Sequence, residues 1–195
     1  MIPNYDRAAR MAYKTLLAMR IDAFPVDPLA ILMKCKNTVI RSYVEVMPRF
    51  GVCDQYYFRD FVMQGMDAIT IRREYGKNTA YELFYDGNVN KRRRRFTLAH
   101  ELGHIVLRHS AEQKWEEVEA DFFASQLLAP RPVLDLFGKA GITVDAPFIA
   151  RTFGLSKAAS EISAKQQIRI EETDLENDIA ARFSAIVPNS LKTAV

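Results

Sequence analysis

The chain has 195 residues, of which 49% are hydrophobic and 11% aromatic, with only 8 Gly and 8 Pro. That is enough apolar surface for a sizeable core, and it excludes a disordered, collagen-like or low-complexity chain. The net charge of +3 arises from 27 basic and 24 acidic residues, but five of the basic ones sit in the run Lys91-Arg92-Arg93-Arg94-Arg95, so the chain has one basic knot and is not generally basic.

The first twelve residues carry Asp6, Arg7 and Arg10 among apolar residues, so a secretory signal is not expected. No apolar run approaches the roughly 20 residues a membrane helix needs. Cys35 and Cys53 form no CxxC pair, which reads most simply as two idle thiols in a reducing, cytoplasmic compartment.

The period of Ala8, Ala9, Ala12, Leu16 and Leu17 predicts a helix over 5–19, with Pro25 and Pro28 beyond its end. Pro28 suits the first turn of a short helix over 29–35. β-prone runs follow at 38–46, 67–73 and 79–86. Gly76-Lys77-Asn78 between the last two reads as the turn of a hairpin. Asn90 is a candidate cap for a helix over 91–108. Ser110 and Gln113 have the form of a capping box opening a second helix that runs to Leu128 and stops at Pro130. A smaller helical part, 147–153 and 157–168, is joined at Gly154 with Ser156 as cap, in helix-turn-helix spacing. An amphipathic stretch over 175–183 precedes a tail expected to fray. The expected class is α+β: a small sheet with active-site helices over 1–130, a helical, helix-turn-helix-like part over 131–171, and a C-terminal helix and tail over 172–195.

All three histidines fall within ten residues, and two of them belong to His100-Glu101-Leu102-Gly103-His104, an HExxH motif. On a helix, residues four apart are offset by only about 40°, so both imidazoles face one way. Such a pair suits zinc, and Glu101, about 100° round from His100, lies where it can take a proton from water. The opposite arc carries Leu98, Ala99, Leu102, Ile105 and Val106, a back to bury against a core. On a continuous helix His109 points about 140° away from His104, so it is read as a helix-end residue outside the site.

A catalytic zinc needs a third protein ligand. The second helix offers Glu112, Glu116, Glu117, Glu119 and Asp121. Glu116 and Glu117 flank its apolar face about equally, and helical geometry alone does not choose between them. Asp121, one turn after Glu117 and on its side, favours Glu117 as ligand, with Asp121 orienting a ligand histidine through its other nitrogen. Glu119 points off this face and is expected to be solvated.

Arg95-Phe96-Thr97-Leu98-Ala99 leading into HExxH, then Glu117-Val118-Glu119-Ala120-Asp121-Phe122-Phe123-Ala124 and Leu127-Leu128-Ala129-Pro130, resemble the ImmA/IrrE family of zinc metallopeptidases over roughly residues 30–170. Asp121 stands where many members carry Asn, and Ala129 where Met is common. The resemblance implies a zincin-like fold, a Zn2+ cofactor, and cleavage of a helix-turn-helix transcriptional repressor of a mobile element or stress response. In that chemistry Glu101 is the proton carrier, and His100, His104 and Glu117 hold the metal. The run over 79–86, just before the active helix, is a candidate edge for an extended substrate. The basic knot reads as an exposed first helical turn with its aliphatic stems packed down; a docking surface for an acidic partner, or contact with DNA, is the alternative use. The competing reading of the whole chain is a DNA- or protein-binding regulator with a non-catalytic metal site.

Overall fold

The computed structural model describes residues 2–110, 113–165 and 174–187. Helix α1 (Tyr5–Ala18) opens on Asn4, whose side chain accepts from the Arg7 N–H at 2.9 Å. Its buried face is Ala8, Ala9, Ala12, Tyr13 and Leu16; three alanines let another helix approach closely. Helix α2 (Pro28–Leu32) has Pro28 in its first turn and Asp27 as cap.

Strand β1 (Thr38–Ser42) is shorter than the expected 38–46. Glu45 accepts from both the backbone and the hydroxyl of Ser42, at 2.5 and 2.7 Å, which turns the chain into helix α3 (Tyr43–Val46). This Ser-x-x-Glu box outweighs the β-propensity of Tyr43, Val44 and Val46. A 3-10 turn (Met47–Phe50), helix α4 (Gln55–Tyr57) and one wide turn (Phe58–Val62) follow, none of them expected. Tyr43, Val46, Met47 and Phe58 form a small core of their own. Arg59 ties this segment to Asp67 at 3.2 Å, at the start of the next strand.

Strands β2 (Ala68–Tyr75) and β3 (Asn78–Tyr85) form the hairpin. Its two-residue turn is Gly76-Lys77, with Gly76 at φ +61°, where glycine alone is comfortable. Strand β1 pairs with β3 in parallel, Ile40 opposite Leu83, so the sheet order is β1-β3-β2 and β3 is central. The candidate substrate edge at 79–86 is therefore corrected: β3 is paired on both sides over Tyr81–Tyr85, the part beside the active helix's start.

Helix α5 (Lys91–Leu107) starts at Asn90, which caps Arg92 at 2.9 Å. The arginine run at its start is not a free patch. Arg93 pairs with Asp67, Arg94 donates to the Gly87 carbonyl, and Arg95 donates to the Gly154 carbonyl at 2.6 Å. Helix α6 (Lys114–Leu128) begins three residues later than expected. Its opening is held by Glu116, whose carboxylate accepts from the Ser110 and Gln113 N–H groups at 3.1 and 3.3 Å, so Gln113 and not Ser110 is the cap.

Helices α7 (Arg131–Lys139), α8 (Ala146–Phe153), α9 (Lys157–Lys165) and α10 (Asp174–Phe183) complete the chain. Helices α8 and α9 turn at Gly154, φ +66°, and Ser156 caps Ala159 at 3.2 Å. The expected extension of α9 to 168 and the C-terminal tail lie outside the described residues. Phe24 bridges the two ends of the fold, packing on Phe153 and Phe183 with ring centres 4.7 and 4.6 Å away. One apolar core runs from α1 through α5 and α6 to α10. The architecture is α+β, a small mixed sheet against helices.

Candidate metal centre

Helices α5 and α6 cross at Gly103. A Cβ there would sit 3.1 Å from Phe123 Cδ1 and 3.2 Å from the Ala120 Cα, so glycine is what allows this close approach. The crossing sets His100 and His104 of α5 against Glu117 and Asp121 of α6.

His100 Nε2 and His104 Nε2 lie 2.9 Å apart, and Glu117 oxygens lie 3.3 Å from the first and 3.5 Å from the second. A tetrahedral ion with bonds near 2.0–2.1 Å separates its ligand atoms by about 3.3 Å. The three donors are thus spaced as such an ion requires, and as a set of two imidazoles and one carboxylate they suit zinc chemically. Asp121 Oδ1 is 2.8 Å from His100 Nδ1 and holds that ring with its other nitrogen facing the group. Glu112 lies outside the described residues.

The electrostatics are those of a site short of positive charge. Burial opposes a proton on His100, but the hydrogen bonds it donates to Asp121 and Glu117 prevail and raise its pKa to about 10. His104, buried and beside that charge, is lowered to about 4. The hydrogen bond to His100 holds the Glu117 carboxyl below the usual range, against burial. The carboxylates that retain a proton on His100 would favour a metal cation in its place. Glu101 is buried, 8% exposed. Burial raises its pKa, with Thr70 and His100 pulling the other way.

The group opens into a cleft of ≈ 1040 Å³ lined on one side by Ala68–Arg72 of β2. The two-residue turn makes Tyr75 and Asn78 a hydrogen-bonded pair, and at the far end the Asp86 N–H donates to the Asp67 carbonyl at 2.7 Å. By alternation, the backbone groups of Ala68, Thr70 and Arg72 turn away from β3. Among the described residues no strand pairs with this outer edge. Tyr81 and Arg93 also border the cleft.

Two sequence expectations fail here. His109 is not turned away: Arg108 adopts a left-handed conformation, φ +56°, and the His109 N–H returns to the His104 carbonyl at 3.0 Å. That reversal sets His109 Nδ1 3.0 Å from His104 Nδ1. No glycine or asparagine marks the turn, so the straight-helix extrapolation had nothing to stop it. Nor is Glu119 solvated. It is 2% exposed and receives the Asn4 N–H at 2.7 Å, Arg7 at 3.3 Å and His109 Nε2 at 3.2 Å. The partner that covers it is α1, more than a hundred residues away in sequence.

A small mixed sheet packed on an HExxH helix, with a carboxylate brought in by the next helix, is the core of a zincin-like peptidase. The model of the M78 peptidase family, described as the IrrE N-terminal-like domain, matches residues 61–165, and the chain belongs to this family of ImmA/IrrE metallopeptidases. No curated protein matches the chain.

Proposed function

We propose that the protein is a zinc-dependent endopeptidase that cuts one peptide bond in a specific protein, a helix-turn-helix transcriptional repressor of a mobile element or stress response. The observation that carries the reading is the convergence of His100, His104 and Glu117 on one point, with Glu101 buried beside them. The repressor as substrate rests on the family resemblance alone.

His100, His104 and Glu117 would hold the zinc, which when bound supplies Lewis acidity to the scissile carbonyl and to the attacking water. Asp121 keeps a proton of His100 on Nδ1, so Nε2 is the nitrogen that would give up its proton to bind. Glu101 takes the proton of the water and delivers it to the leaving amine; burial raises its proton affinity, the direction that favours such a shuttle. The outward backbone groups of Ala68 and Arg72 would bind an extended segment as an added strand and align it along the cleft, beside the Thr70 N–H that Glu101 engages.

The alternative, a DNA-binding regulator, draws on the α8–α9 pair and the basic knot. Arg93, Arg94 and Arg95 are engaged by protein groups, which leaves Lys91 and Arg92, and the exposed flank of Arg93, as the solvent-facing part of the knot. The unpaired Cys35 and Cys53 fit a reducing, cytoplasmic setting. Among the described residues no helix is long and apolar enough to cross a membrane.

The test is incubation of the purified protein with a helix-turn-helix repressor encoded by a neighbouring gene of its genome. One discrete cut is expected, abolished by a chelator. Glu101→Gln should retain stoichiometric zinc and cut at least about 10²-fold more slowly. A regulator would keep its function with Glu101→Gln, and chelator-insensitive cutting would overturn the reading.

A further inference from the structure

Glu119 is an acceptor with one buried neighbour of ambiguous protonation. Its carboxylate lies 3.2 Å from His109 Nε2, and both side chains are almost wholly enclosed, 2% and 4% exposed. An ionised carboxylate can only accept, so His109 must carry a proton on Nε2. A neutral His109 then has its lone pair on Nδ1, and that atom faces His104 Nδ1 at 3.0 Å. His104 must therefore donate from Nδ1, which leaves His104 Nε2 unprotonated and aimed at His100 and Glu117. The opposite choice would set the lone pair of His109 Nε2 against the Glu119 carboxylate, and would place a proton on the His104 nitrogen that is needed as a donor to metal.

We infer that His109 is the positioning residue of His104, and that Glu119 sets its tautomer, so that the metal-binding form of His104 exists before metal arrives. This rests on the reading of His100, His104 and Glu117 as the ligands. The two imidazoles are then held by different devices: His100 directly by Asp121, and His104 through His109 to Glu119. Glu119 is in turn pinned by the Asn4 backbone and by Arg7. Arg7 also donates to the Leu107 carbonyl at the end of α5. Helix α1 lies before the family-matched segment of 61–165, yet it supplies the far end of this chain of contacts.

The direct test is the nitrogen-detected imidazole spectrum of the metal-free protein. His104 should show its proton on Nδ1, and His109 on Nε2. A proton on His104 Nε2 overturns the inference. The second test is zinc affinity by chelator competition. His109→Phe keeps a ring but removes the acceptor, and should weaken zinc binding about 10–100-fold. His109→Asn places an oxygen near the position of Nδ1 and should recover most of that loss. Equal affinity in His109→Phe and wild type overturns the inference while leaving the peptidase reading intact. A wild-type chain that takes up no zinc overturns that reading, and the inference with it. The spectrum uses the wild-type chain, so a variant that fails to fold does not decide the matter.

Discussion

Three glutamates and an aspartate of α6, Glu116, Glu117, Glu119 and Asp121, meet different fates within a turn and a half, and direction around the helix explains only some of them. Glu116 is 3% exposed and closes the start of α6 on two backbone N–H groups, whereas Glu117 and Asp121 face the histidines. Local spacing made Glu117 with Asp121 legible, because residues one turn apart must share a side. It could not reveal that Glu119 is covered, since the covering groups come from α1. Two outcomes belong at this scale. Asp121→Ala should lower zinc affinity about 10–100-fold in a chelator titration, while Asp121→Asn, which still offers an oxygen to the His100 Nδ1–H, should lower it less. Glu116→Ala should cost about 1–2 kcal/mol in urea unfolding, because it removes the acceptor of the Ser110 and Gln113 N–H groups that closes the turn into the helix.

Helices were read from the sequence more faithfully than the sheet. Helix α5 is found over Lys91–Leu107 against an expected 91–108, because its period, its cap and its apolar arc are all local. The hairpin was equally readable. The parallel β1–β3 pair was not, since nothing within β3 distinguishes a central from an edge strand. That pairing moves the candidate substrate edge to β2. Arg72→Pro should remove an outward N–H without breaking a bond to β3, so protein cleavage should fall roughly several-fold to tenfold relative to Arg72→Ala, with little change in stability. Gly103→Ala sets a gain in helix propensity of about 1 kcal/mol against an overpacking cost of about 1–3 kcal/mol. The neighbour is the Ala120 backbone, which cannot rotate aside, so a net loss of about 1 kcal/mol is expected in urea unfolding, together with weaker zinc binding as α6 and Glu117 move back.

Across the whole molecule, an ion held by α5 and α6 would cross-link two helices of the one core. A ligand that binds only the native state stabilises it by about 4 kcal/mol at 1,000 times its Kd. For a chain of this size that corresponds to a Tm rise of about 10 °C with zinc, reversed by a chelator, in a thermal melt. No shift on zinc addition would count against a native metal site. The arginine run acts at the same scale. Arg93, Arg94 and Arg95 link the active helix to the start of β2, to the loop before α5 and to the α8–α9 turn. Five positive charges that looked like one surface feature include three separate internal ties.

The sequence alone determined what depends on neighbours along the chain: the HExxH face, the following acidic turn, the hairpin, and the helix cap at Asn90. These follow from fixed rotations per residue and from side chains that reach only their own backbone. Tertiary structure decided the rest: which strand is central, where the arginines go, and how His109, Glu119 and Arg7 come together around His104. Those contacts join groups up to 112 residues apart. Their energy comes from burial and from satisfying hydrogen bonds out of water, and neither is defined until the elements have packed.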